Sequence, residues 1–222
     1  MSDRTASAPA PLAPPDDAVV AEFAHLATDE RIERAAAALT ATGMNAMVVA
    51  SGEEARRAVE DLLPYGAEVF NNTSRTLEAI GVAEDIERSG RYQPLRLRLY
   101  QMDREMQQHE MRNLAASPDY VVGSAHAVTE EGSLLVASAS GSQLGPIVSG
   151  GGQVILVVGG QKIVPDVATA MRRIYTYCLP LEDHRAREAY GVGSGVNNVL
   201  IVNRSIAPGR ITVILVREPL GF

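Results

Sequence analysis

Apolar residues first recur at helical spacing in Val20, Phe23, Ala24, Ile32, Ala36 and Leu39, a run of one or two helices that Gly43 ends. The stretch MNAMVVA (44–50) then reads as a buried strand. In the following SGEEARRAVEDLL, Ser51 and Glu54 are spaced as a capping box that opens a helix. The order repeats with AEVF (67–70) as strand, NNTSR as turn, and TLEAIGVAEDIERSG as a helix interrupted at Gly81. Leu95 to Tyr100, LRLRLY, alternates apolar and polar positions and is expected to be a third strand before the helix DREMQQHEMRNLAA. DYVVG, the fully apolar QVILVV (153–158), the helix PDVATAMRRIYTYCL and the strands VLIVN and RITVILV complete the chain. Strands that alternate with helices, the central ones apolar throughout, predict an α/β fold: one open, mostly parallel sheet with helices on both faces. The domain is expected over 17–222. Residues 1–16 are Ala/Pro-rich, cannot bury apolar surface, and are expected to form a disordered tail.

Composition narrows the function classes. A formal charge of -7 argues against a nucleic-acid or anionic-membrane surface, because both need a dense cationic face. Cys178 is the one cysteine, so one chain holds no disulfide framework and no ligand set for zinc or an iron-sulfur cluster. The four histidines are scattered, and no metal site is expected. With no apolar stretch of membrane-spanning length and no basic-then-apolar leader, the reading is a cytoplasmic protein.

In such a sheet ligands sit beyond the carboxyl ends of the strands, where loops pass into helix N-termini. Two turns qualify. The first offers Asn71, Asn72, Thr73 and Ser74 as an anion cradle, although the same residue types serve as ordinary helix caps. The second carries Gly159, Gly160 and Lys162. Lys162 is the only lysine among the 20 basic residues counted as Lys+Arg, in a chain that otherwise uses arginine, so a compact, tunable ammonium is expected to have a use there. The alternative is a solvated loop lysine. The spacing does not match a P-loop, and YGVGSGVNN (190–198) lacks the following helix that a dinucleotide fingerprint requires. The segment AHAVTEEGSLLVASASGSQLG (125–145) places Glu130 on the same strand face as His126, ahead of a tight turn at Gly132 and a floor of small residues. Glu130 is therefore expected to face the site and Glu131 the solvent, against the plainer reading of an exposed hairpin tip.

The segments AHAVTEEGSLL, QVILVVGGQKIVPDVATAMRRI and RITVILVREPLGF together resemble the LUD (lactate-utilisation domain) family over roughly Ala35 to Phe222. That resemblance implies the NagB/RpiA/CoA-transferase-like fold of ribose-5-phosphate isomerase, glucosamine-6-phosphate deaminase and the CoA-transferases. By it, Glu130 and Gly132 match an acidic turn and Lys162 the lysine of a KIV motif, while Thr73 and Ser74 lie where a glycine-serine turn is expected but the turn reads Asn-Asn-Thr-Ser. It implies Glu130 and Lys162 as catalytic candidates and an iron-sulfur or oxidoreductase partner protein in L-lactate oxidation. His126 stands where many relatives have Asn or Asp and is a third catalytic candidate because it lies four residues before Glu130. A CoA ester or phosphorylated compound is the ligand expected, and, with one cysteine, no cofactor intrinsic to the chain. HRAREAYGVGSGVNN occupies the space where some relatives carry a cysteine-rich segment. Two readings stay open: an enzyme or enzyme subunit acting on a small anionic metabolite, which can also be a homo-oligomer, and a non-catalytic metabolite-binding or regulatory subunit of a redox complex.

Overall fold

The computed structural model describes residues 10–222. The tail expected over 1–16 lies outside the described residues as far as residue 9. Its last part is tied down, since the Leu12 amide donates to Asp183 Oδ2 at 3.0 Å and Asp16 caps the first helix. The N-terminal run divides into α1 (Asp17–Phe23) and α2 (Asp29–Ala41), each opened by a side-chain cap from Asp16 and Thr28. After β1 (Asn45–Val49) comes α3 (Gly52–Leu62), where Ser51 Oγ accepts from the Glu54 amide and Glu54 reaches back to the Ala50 amide. β2 (Glu68–Asn71) leads into α4 (Arg75–Ala79) and α5 (Val82–Arg88), separated by Gly81 at φ +78°. Only β3 (Gln93–Pro94) is extended at the next position.

Leu95–Gln101 is a helix, α6, and not the expected strand. Leucine and arginine are good helix formers, and alternation over six residues fits both periods. The edge of the sheet offers pairing for only Gln93 and Pro94, so propensity decides the remainder. The chain continues through α7 (Gln108–Ala116), β4 (Tyr120–Gly123), β5 (Ala127–Thr129), β6 (Leu134–Ser138), β7 (Gln153–Gly159) and β8 (Ile163–Val164). It ends with α8 (Val167–Arg173), α9 (Leu179–Tyr190), β9 (Asn198–Val202) and β10 (Ile211–Val216), and a π-helical turn, Ile174–Cys178, joins α8 to α9.

The main sheet is parallel throughout, in the order β1-β10-β7-β4-β2-β3. A second sheet of four strands, β8-β5-β6-β9, departs from the single sheet expected from the pattern. The apolar strands serve two cores at once. Val154, Leu156, Val158, Val213 and Leu215 face a core shared with α2 and the second sheet, while Ile155, Val157, Ile214 and Val216 face α3, α4 and α5. A third core lies on the far side of the second sheet, where Leu135 and Ala137 meet Phe23, Ala170, Ile174 and Tyr177. MNAMVVA is the half-exposed edge strand β1 and not a buried one.

Candidate functional site

The carboxyl ends of β2, β4 and β7 open into a cleft of about 360 Å³. Asn72, Thr73 and Ser74 line it from the β2 turn, Ser124, Ala125 and His126 from the end of β4, and Lys162 from the turn after β7. Ala137, Ser138 and Ser140 add small residues to the lining, which the segment 192–196 completes. The parallel sheet brings these together because each strand delivers its following loop to the same end.

Lys162 is only 3% exposed, so it is not the solvated loop lysine of the alternative reading. Its Nζ donates to Thr76 Oγ1 at 2.9 Å and lies 3.3 Å from Ser124 Oγ. Thr76 in turn donates to the Leu220 carbonyl at 3.0 Å. Burial, and then the charge of Arg173, bring the Lys162 ammonium down to about 7, with Cys178 acting weakly in the other direction. Arg173 is fully buried, donates to the His126 carbonyl at 2.6 Å and to Cys178 Sγ at 2.9 Å, and keeps Nε and Nη2 without a partner. Among the described residues neither cation has a carboxylate partner.

His126 accepts from the Ala137 amide through Nδ1 at 3.1 Å, which assigns the proton to Nε2. Burial, followed by Lys162 and Arg173, holds its pKa down at about 3, so the ring is neutral. Cys178 lines the same cleft as a thiol, its pKa pushed up by burial. At the mouth Glu182 is held by Arg185, with Nε to Oε2 at 2.7 Å and Nη2 to Oε1 at 2.6 Å, and Arg185 stacks over Tyr190. The 191–198 loop is fixed from below by Asp183, whose Oδ1 accepts from the Ser194 amide at 2.9 Å, and by Asn197, which donates to the Ala139 carbonyl at 2.9 Å.

Several candidates stand elsewhere. Glu130 does not line the cleft; its carboxylate pairs with Arg31 at 2.5 Å and Arg34 at 2.6 Å and clamps the β5–β6 turn to α2. Alternation along the strand holds through Thr129, but the Glu130 amide bonds the Val164 carbonyl and the chain turns there toward α2. Glu131 is exposed, as expected. Gly132, at φ +87°, packs so closely on α2 that a Cβ would fall 2.6 Å from the Ala38 carbonyl, so it is a packing glycine and not a ligand contact. Gly159 and Gly160 are likewise pressed against backbone, with a Cβ meeting Leu220 N at 2.6 Å and Val216 O at 3.1 Å. Asn71 is buried behind the cleft and donates to Glu87 at 2.8 Å. Ser74 both lines the cleft and caps α4, accepting from the Leu77 amide at 3.3 Å.

Sequence reasoning missed Thr76, Ser124, Arg173 and Cys178. Ser124 follows a strand directly, and the carboxyl-end rule applied to DYVVG would have found it. Arg173 shares a helix face with the buried Ala170, Ile174 and Tyr177, and that spacing is the signal that it turns inward.

The family model described as the LUD domain matches residues 32–216. A search among curated proteins gives no match. Among solved structures, the chain is similar to a DUF162 family protein from Deinococcus radiodurans, with a TM-score of 0.50 and 14% identity over 86% of this chain and 99% of that one. The expected open α/β sheet is thus found both in the topology and in this neighbour. Among the described residues, no helix is long and apolar enough to cross a membrane.

Proposed function

Since the chain belongs to the LUD domain family, matched over residues 32–216, we propose that its cleft binds a small organic anion, a carboxylate in the first instance, in lactate or organic-acid utilisation. Family membership supports the lactate-related role. The observation that carries the anion reading is the pair of buried cations, Lys162 at the cleft and Arg173 behind its wall, with no carboxylate to neutralise either. Two uncompensated positive charges in a low-dielectric site are costly, and a bound anion relieves that cost. Ser124 lies at the ammonium, and hydroxyl and amide groups of Asn72, Thr73 and Ser138 elsewhere in the lining suit the remaining acceptors of a carboxylate. The volume, about 360 Å³, lies at the lower end of small-molecule pockets, which start near ~300 Å³.

The anion binds the protonated form of Lys162, so affinity is expected to fall as pH rises through about 7. A thermal-shift series with L-lactate, pyruvate, acetate and phosphate, repeated at pH 6 and pH 9, tests this. Stabilisation at the lower pH that shrinks at the higher one is the expected outcome. Equal shifts at both, or none from any of the anions, would remove Lys162 from the role.

A further inference from the structure

The most exposed member of the buried polar cluster is Ser124, which stands at the end of β4 with its hydroxyl in the cleft. Its Oγ is 3.3 Å from Lys162 Nζ and 3.3 Å from Thr76 Oγ1. Thr76 itself is buried and committed to the Leu220 carbonyl, which leaves Ser124 as the hydroxyl that can meet a reactant. The third part is Asn72. Gly123, the residue before Ser124, has no Cβ, and one built there would fall 2.5 Å from Asn72 Nδ2, so the missing side chain lets this amide pack against the end of β4. Asn72 is 7% exposed and lines the cleft, and its Nδ2 group is a donor.

We propose that Ser124 is a nucleophile, Lys162 its general base and Asn72 its oxyanion donor, so that the cleft carries out acyl transfer from a small ester or thioester. A serine is a weak nucleophile until a base within hydrogen-bond reach takes its proton, and a lysine can serve when it is desolvated. Burial supplies that condition here: with Lys162 at about 7, the free amine is well populated near neutral pH. In the first half-reaction Ser124 Oγ bonds to the acyl carbon and its proton passes to the Lys162 amine. The oxyanion, facing the Asn72 amide, collapses, the bond to the alkoxide or thiolate breaks, and the Lys162 ammonium returns the proton to that leaving group. Water then attacks the acyl-serine by the same two proton transfers, which releases the carboxylic acid and restores the hydroxyl. The cluster shares Lys162, Asn72 and Ser124 with the anion-binding reading, which calls on the protonated lysine where acyl transfer calls on the free amine; absence of acyl-serine chemistry with anion stabilisation retained overturns the one and leaves the other standing.

The test uses p-nitrophenyl acetate with the full chain, following p-nitrophenol release and the acetylated peptide by mass spectrometry. An acetyl group on Ser124, a rate that rises with pH through about 7, and loss of both in Ser124→Ala are expected. Lys162→Met is expected to lower the rate at least about 100-fold and abolish that rise. Acetylation of Lys162 or Cys178 in place of Ser124, an undiminished rate in Ser124→Ala, or no reaction above buffer by protein that melts cooperatively would overturn the proposal. Should Ser124→Ala fail to fold, the acetylated residue in the unaltered chain still decides.

Discussion

Lys162 and Glu130 are both site candidates by sequence context, yet Lys162 lines the cleft and Glu130 does not, and single substitutions test each. Lys162 is held in the interior with two hydroxyl partners and no counter-ion. Lys162→Met keeps the length of the side chain and removes a buried charge, so at pH 7 or below the variant is expected to be more stable by about 1 kcal/mol or more, while anion affinity falls at least about tenfold, or about 1.4 kcal/mol. Melting temperature and calorimetric titration read the two effects separately. A less stable variant with unchanged affinity would show that the ammonium serves packing alone. Glu130→Gln is expected to act in the other direction. It loses charge on the clamp to Arg31 and Arg34, costing about 1 kcal/mol because the arginines are partly exposed, and it leaves ligand binding unchanged. An affinity change in that variant would return Glu130 to the site.

At the scale of elements, most strands and helices were legible because their period is long enough to discriminate: QVILVV and RITVILV are apolar on both faces, and Ser51 with Glu54 marks a helix start. The carboxyl-end rule points to the end of the sheet where the cleft lies; of the residues it singles out, Asn72, Thr73, Ser74 and Lys162 line that cleft and Asn71, Gly159 and Gly160 do not. What could not be read was pairing at a distance. LRLRLY satisfies strand alternation, but only two residues find a partner at the sheet edge. The second sheet joins strands as far apart as β6 and β9, and no local pattern encodes that. Glu130 shares its face of the strand only until the chain turns into α2. The 191–198 loop, glycine-rich and without a motif, depends on Asp183, which accepts from Leu12 N, Ser194 N and Arg187 Nε. Those hydrogen bonds, the Arg187 side chain first, hold the carboxyl down at about 2. Asp183→Ala is expected to cost about 1–3 kcal/mol and to speed proteolysis or amide exchange within 191–198. Protection equal to that of the unaltered chain would mean that the loop is held by other contacts.

For the whole molecule, the neutral state of His126 sets the acid limb of stability. Its pKa is about 3 in the folded protein against 6.5 for the free side chain, so between those values the unfolded chain binds more protons. Stability is expected to fall as pH drops from 6.5 towards 3, and His126→Gln, which can still accept from the Ala137 amide, should flatten that limb in a denaturant titration at successive pH values. An unchanged limb would assign the acid sensitivity elsewhere. Two of the three cores meet across the central sheet, since β7 and β10 contribute side chains to both. β7 is paired on both edges, by β10 and β4, and buried along nearly all its length, and Lys162 follows three residues after its end. Amides there should exchange only through global opening, on the slowest timescale the molecule has, whereas those of the 191–198 loop, held by side chains of Asp183 and Asn197, are expected to exchange sooner. The cleft therefore hangs from a strand that keeps its geometry for as long as the chain stays folded. The charge that meets whatever binds over Lys162 is then set by the most persistent part of the molecule.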